Sequence, residues 1–252
     1  ENFTYRNVDH IITITDDMRD NIIKKGVPKE KITVIRNWID TDVVKPILRA
    51  KNNLFDELSL SRDKFYVVYA GNLGKVQGVE VMLKTASLLK ENKDIQFVIF
   101  GNGSEEEYLR KMIRENQLEN VLMYPLLPVE RVSEVYSMAD VCVISCTPGT
   151  GGSGMPSKTW TIMAAGVPII ASFDTPSEMQ RTIAEAKCGF CTNAGDEKAL
   201  HEKIVFLYEN NQLKEQFAEN ARKYAEENVS KNQAVAQYLE TISRVLDKEK
   251  KL

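Results

Sequence analysis

The chain is short of several things, and each shortage narrows what it can be. Its 252 residues include only two histidines, His10 and His201, and four cysteines, Cys142, Cys146, Cys188 and Cys191. The histidines lie far from the cysteines in sequence. Cys188 and Cys191 have a C-x2-C spacing, which alone is a weak metal or redox signal. The expectation is core thiols in a reducing compartment and no metal site. Neither sign of charge dominates, since 33 Lys and Arg face 36 Asp and Glu for a net charge of −3. The broad basic footprint of a nucleic-acid binder is therefore missing. Apolar runs are short and strand-like, well below the ~18 residues of a membrane-spanning helix. There is no internal repeat and no low-complexity segment. With 43% hydrophobic and 27% charged residues, the composition is that of an ordinary globular protein. The length suits one large domain or two small ones.

What is present is a strict alternation. FYVVYAG (65–71), IQFVIFG (95–101), NVLMY (120–124), DVCVIS (140–145), VPIIAS (167–172) and GFCTN (189–193) read as strands. Their valine, isoleucine and aromatic content fits a buried sheet. Between them, 78–92, 104–117 (with Ser104 as its cap), 128–139, the segment after Pro156, and 178–187 read as helices. Three further helices finish the chain. Strands alternating with helices imply a parallel sheet covered on both faces, an α/β doubly wound, Rossmann-like domain. Before it, 8–15 reads as a strand, 16–26 as a helix closed by Gly26, and 32–37 as a strand. That fragment needs a sheet to join. The expectation is a piece of a longer protein whose first domain is mostly missing.

Ligands of such sheets bind beyond the carboxyl ends of the strands. Four loops matter on that ground: GNLGKVQG (71–78), GNGS (101–104), PLLP (125–128) and the glycine-rich loop before Pro156-Ser157-Lys158. The last carries Gly149, Gly151, Gly152 and Gly154. Glycines let backbone N–H groups approach a ligand closely, and a helix start adds free donors that suit phosphate. Lys158 places a cation in the first helical turn, against the dipole, which points to an anionic partner. In the first loop Gly71, Gly74 and Gly78 surround Lys75, a point charge for phosphate. Leu126 and Leu127 offer a flat apolar edge for a base. Plain βα turns with solvated lysines, a helix cap at 101–104 and a core lid at 125–128 fit the same residues. Spacing alone does not choose between them.

Together, NLGKVQGVEVML, FGNGSEEEYLRKM, SMADV and GMPSKTWTIMAAGVPIIAS resemble family 4 glycosyltransferases of the GT-B fold, with bacterial surface-polysaccharide and O-antigen enzymes the most similar subgroup. VIRNWID (34–40), with Asn37, resembles the crossover between the two GT-B domains. The resemblance implies the C-terminal half of a GT-B fold. Residues 1–40 would end the acceptor domain and cross over, 41–230 would bind the nucleotide sugar, and 231–252 would form a C-terminal helix. It implies sugar transfer with retention from a nucleoside diphosphate sugar, UDP-linked rather than GDP-linked, to a polysaccharide or lipid-linked acceptor. No metal or other cofactor is implied. The enzyme would be cytoplasmic, with room for peripheral association of the full-length protein at the inner face of the membrane.

The resemblance also distributes roles. Gly71, Asn72, Gly74, Lys75 and Gln77 would hold the pyrophosphate, although the family's usual lysine before the last glycine is Gln77 here. Leu126 and Leu127 would meet the base, and Ser157, Lys158 and Thr161 the ribose and diphosphate. Gly152, Ser153, Gly154 and Met155 would face the donor sugar. Two glutamates that the family places eight residues apart align with Ser153 and Thr161, so both carboxylates are missing. No residue reads as a general base, which leaves acceptor chemistry to the absent domain. A non-catalytic nucleotide-sugar-binding subunit and an epimerase-like enzyme are the other readings.

Overall fold

The computed structural model describes residues 2–152 and 154–249. In chain order the first elements are α1 (Asn2–Arg6), β1 (Ile11–Thr13), α2 (Asp16–Lys24), β2 (Ile32–Val34) and the short α3 (Leu54–Glu57). The alternating part follows as β3 (Phe65–Ala70), α4 (Glu80–Leu88), β4 (Ile95–Phe100), α5 (Glu106–Glu115), β5 (Val121–Tyr124), α6 (Val132–Ser137) and β6 (Val141–Ser145). It continues with α7 (Lys158–Ala164), β7 (Ile169–Phe173), α8 (Glu178–Ala186), β8 (Gly189–Asn193), α9 (Glu197–Glu209), α10 (Asn211–Asn228) and α11 (Lys231–Glu249).

Six parallel strands form the main sheet in the order β5-β4-β3-β6-β7-β8. Every residue of β3, β4, β6 and β7 is buried, as a sheet covered on both faces requires. Successive side chains alternate between two cores. Phe65, Val67 and Tyr69 pack with residues of α4, α5 and α9. Tyr66, Val68 and Ala70 pack with residues of α6, α7, α8 and α10. Each valine- or leucine-sized side chain so buried contributes ~1.5–3 kcal/mol.

The chain winds outward from β3 to β5 and then returns to β6, so the switch point lies between β3 and β6. These two strands pair only at Val67–Val141 and Val68–Cys142. Beyond Val68, β3 keeps its register with β4 through Ala70 but has no partner in β6. A crevice opens there, as expected where strand order reverses.

The N-terminal fragment forms its own two-stranded parallel sheet, with Ile11 opposite Ile32. Ion pairs join it to α8. Arg181 meets Asp17 at 2.5 Å, and Arg36 meets the buried Glu178 at 3.4 Å.

Several local expectations change. The strand read over 8–15 spans only Ile11–Thr13, and that over 32–37 only Ile32–Val34. Ser104 does not cap α5: that helix starts at Glu106 and no side chain caps it. Its entry is fixed by a tertiary contact instead, because the Glu105 N–H donates to the Leu73 carbonyl at 2.8 Å. The helix expected from 78 starts at Glu80. Gly78 stands at φ +55°, a left-handed conformation that ends the turn Lys75–Gln77 and cannot belong to the helix. The helix expected from 128 opens as a tight turn, Val129–Arg131, and becomes α-helical only at Val132.

Candidate nucleotide-binding site

Lys158 is the first residue of α7, as expected of the helix start, and its side chain reaches into the crevice. Its Nζ lies 3.9 Å from the centroid of the Tyr69 ring. The backbone of Gly71 makes room for it: a Cβ there would stand 2.5 Å from Lys158 Nζ, and the φ of +146° also disfavours any other residue. Among the described residues, no carboxylate forms an ion pair with Lys158. Burial pushes its pKa from the ordinary 10.5 down to about 8. A cation desolvated without a counter-charge is costly to folding and fits a site built to receive an anion.

Two clefts meet at this lysine. The first, of ≈ 380 Å³, is lined by Gly71, Leu126, Leu127, Ser157, Lys158 and Thr161, together with Val132, Val135 and Tyr136. The second, of ≈ 350 Å³, is lined by Asn72, Gln77, Gly154, Met155 and Lys158, with Ile144, Cys146 and Phe173 as its apolar wall. No aspartate or glutamate lines either one among the described residues. One mostly apolar compartment and one with open backbone thus share a single cation, which suits a flat ring joined to a charged group.

The expected residues divide accordingly. Gly71, Leu126, Leu127, Ser157 and Thr161 come together on one side of Lys158. Asn72, Gln77, Gly154 and Met155 come together on the other. Gly74 and Lys75 line a third cleft of ≈ 320 Å³ with Glu80, Glu105 and Tyr108. The loop 71–78 therefore forms walls of both its own crevice and the next. Gly152 is exposed and lines none of these clefts. Ser153 lies outside the described residues.

Hydrogen bonds fix the loops relative to one another. The Ser145 hydroxyl donates to the Gln77 carbonyl at 2.7 Å, and the Thr147 N–H to the Val76 carbonyl at 2.9 Å. Asn102 links three loops. Its carbonyl accepts the Leu73 N–H at 2.9 Å, and its Oδ1 accepts the Leu126 N–H at 2.9 Å. Asp174, just past β7, holds the glycine-rich loop by accepting the N–H groups of Gly149 and Gly151 at 2.9 and 2.7 Å. Tyr69 and Asp174 are absent from the sequence-based site, and Asn102 entered it only as part of the loop 101–104. The rule that pointed to four loops applies equally to the one after β7, so Asp174 could have been found. Tyr69 could not, since within β3 it reads as ordinary core.

The thiols are free: Cys142, Cys146 and Cys188 are buried and Cys191 is half-buried. Burial pushes Cys188 up to about 12 and Cys191 up to about 11. His10 Nε2 lies 2.8 Å from the Thr33 hydroxyl, in the N-terminal fragment and away from the clefts.

The fold matches solved GT-B glycosyltransferase structures. Anabaena Alr3699/HepE in complex with UDP superposes with a TM-score of 0.84 at 19% identity, over 96% of this chain and 66% of that one. Sucrose-phosphate synthase from Thermosynechococcus elongatus superposes with a TM-score of 0.83 at 18% identity, over 98% of this chain and 61% of that one. The chain belongs to the glycosyl transferases group 1 family, whose model matches residues 50–224. Residues 1–43 match the model "Glycosyltransferase Family 4". The putative colanic acid biosynthesis glycosyl transferase WcaI of Escherichia coli (strain K12) is 27% identical over 94% of this chain and 57% of its own length. The probable glycosyltransferase WbjE of Pseudomonas aeruginosa is 28% identical over 79% of this chain and 49% of its own. The chain thus spans about half to three fifths of these relatives. No helix among the described residues is long and apolar enough to cross a membrane.

Proposed function

We propose that this chain is the donor-binding part of a glycosyltransferase that takes its sugar from a nucleoside diphosphate sugar, UDP-linked rather than GDP-linked. The observation that carries this reading is the desolvated Lys158, with no carboxylate paired to it among the described residues, at the meeting of two clefts. The base lies against Leu126 and Leu127, and the ribose near Ser157 and Thr161. The diphosphate meets Lys158 and the sugar faces Gly154 and Met155. The complex of Alr3699/HepE with UDP-glucose supports the ligand class.

The reaction breaks the bond between the anomeric carbon and the diphosphate oxygen and forms one to an acceptor hydroxyl, with retention. Its demand on this chain is to stabilise charge on the departing diphosphate. A preorganised cation and backbone N–H donors in a desolvated crevice do that most effectively. No metal is needed for this task. Residues 1–40 belong to the acceptor domain and the crossover, 41–230 form the donor domain, and 231–252 the terminal helix. The acceptor, a growing polysaccharide or a lipid-linked saccharide, binds through the remainder of the first domain. By itself the chain transfers no sugar, because donor and acceptor must be held in one geometry. The protein works in the cytoplasm, with room for peripheral association at the inner face of the membrane.

A second reading, a nucleotide-sugar-binding subunit that needs a partner chain, is favoured by the lack of any carboxylate lining the two clefts among the described residues. The test is a transfer assay on the longer protein with UDP-hexose and UDP-N-acetylhexosamine donors and lipid-linked saccharide acceptors. Glycoside formation supports the first reading. Tight donor binding with no transfer supports the second, and epimerised donor without acceptor would point to an epimerase-like enzyme instead.

A further inference from the structure

We infer that Tyr69 is a positioning residue for Lys158: its ring face holds the ammonium at the mouth of the crevice, where the donor diphosphate binds. This rests on the donor-site reading above and assigns the task of presenting the cation to a side chain that touches no donor atom itself.

The geometry is specific. Lys158 starts on α7, which packs on one face of the sheet, whereas Tyr69 belongs to the core of the other face. The ammonium crosses the gap between β3 and β6 above Gly71 and stands 3.9 Å from the ring centroid. That is well inside the ~6 Å reach of cation–π attraction, which strengthens as water is removed. The ring cannot drift. Tyr69 is 1% exposed, and its hydroxyl donates to the Asn72 carbonyl at 2.7 Å. The same bond ties the ring to the loop that forms one wall of the second cleft.

A carboxylate could hold the lysine as firmly, but it would neutralise it and compete with a diphosphate. A ring attracts the ammonium and leaves its charge available. Among the described residues, the titratable groups facing Lys158 are of this uncharged kind. They are the phenol of Tyr69 on β3, the thiol of Cys142 on β6, the phenol of Tyr136 on α6 and the thiol of Cys146 just past β6. Burial raises all four, so none carries charge at neutral pH.

The test uses this chain, UDP as the probe, and Tyr69→Phe and Tyr69→Leu variants whose melting temperatures are measured first. For the wild type, UDP affinity falls above about pH 8, where Lys158 loses its proton. Tyr69→Phe keeps the ring and stays within about twofold of wild type, while Tyr69→Leu weakens UDP about five- to tenfold at pH 7. In Tyr69→Leu the fall also begins at lower pH, because the charged form has lost its stabiliser. Loss of packing alone would lower the melting temperature without moving that midpoint. In parallel, NMR titration of the Lys158 side chain without ligand should show a lower pKa in Tyr69→Leu than in Tyr69→Phe. Equal lysine pKa values in the two variants would overturn the inference whether or not UDP binds. Wild-type protein that fails to bind UDP, with the lysine pKa still responding to the ring, would overturn the donor-site reading and keep the contact between Tyr69 and Lys158.

Discussion

The carboxylate of Asp174 accepts the backbone N–H of Gly151 at 2.7 Å and that of Gly149 at 2.9 Å. One side chain at the end of β7 thereby clamps the loop that leaves β6. The clamp has no slack, because a Cβ on Gly151 would meet Phe173 at 2.8 Å and Asp174 Oδ2 at 3.0 Å. The loop then runs to Gly154 and Met155, which line the second cleft.

Asp174→Ala should therefore disturb the sugar side of the site more than the base side. Hydrogen bonds to a charged group contribute ~1.5–3 kcal/mol each, so some loss of stability accompanies the change. The expected outcome is UDP-hexose binding weakened about tenfold, equivalent to ~1.4 kcal/mol, with UDP itself affected far less. Calorimetry with both ligands on the same protein reads the difference. Equal losses for the two would show that the clamp serves the fold alone.

Lys158 should trade stability for binding. The folded protein holds this proton less tightly than the unfolded chain, since burial moves the lysine from 10.5 to about 8. The unfolded chain therefore carries the extra proton between those values, and the lysine's contribution to stability rises with pH across that window. Lys158→Met should remove that rise. At pH 7 it should also melt no lower than wild type, and a gain of about 1 kcal/mol would lift the Tm by ~2–4 °C. UDP binding should weaken by ~1.5–3 kcal/mol, the range for a hydrogen bond to a charged group. Lys75 is exposed and faces the neighbouring cleft, so Lys75→Ala should cost less affinity than Lys158→Ala. Thermal melts from pH 7 to 10.5 and UDP titrations check the whole set.

The donor loop offers a test that leaves the fold intact. A Cβ on Gly154 would meet only the Gly151 carbonyl, at 3.9 Å. Gly154→Val is thus accommodated by the protein and projects its methyls into the second cleft. It should fold normally and nearly abolish UDP-hexose binding. Ser153→Ala removes one neutral hydroxyl and should cost only ~0.5–1.5 kcal/mol. The reverse ranking would assign the site to the serine and not to the backbone.

Much of this was legible in the sequence because the relevant physics is local. Continuous apolar runs such as FYVVYA and IQFVIF can be little other than strands buried on both faces, and helices between them make the sheet parallel. Gly71 and Lys158 stood out because glycine and a lysine at a helix start are unusual in ways that one residue shows by itself. What escaped depends on distant segments meeting. Asn102 reads as a loop residue until Leu73 and Leu126 are seen to share it. Ser104 reads as a cap until the Leu73 carbonyl is found supplying that restraint. Lys75 and Lys158 look alike in sequence, yet the loop 71–78 turns one outward and receives the other. Tyr69 looks like any aromatic of a buried strand, and only the third dimension places a cation on its face.

Binding of a nucleoside diphosphate in the crevice at Lys158 is the central claim. Isothermal titration of this chain with UDP at pH 7, and with GDP in parallel, tests it most directly. A saturable, one-site isotherm for UDP, weaker for GDP and weakened by ~1.5–3 kcal/mol in Lys158→Met, is the predicted result. A flat trace with both nucleotides at millimolar concentration, from a protein that melts cooperatively, would contradict it.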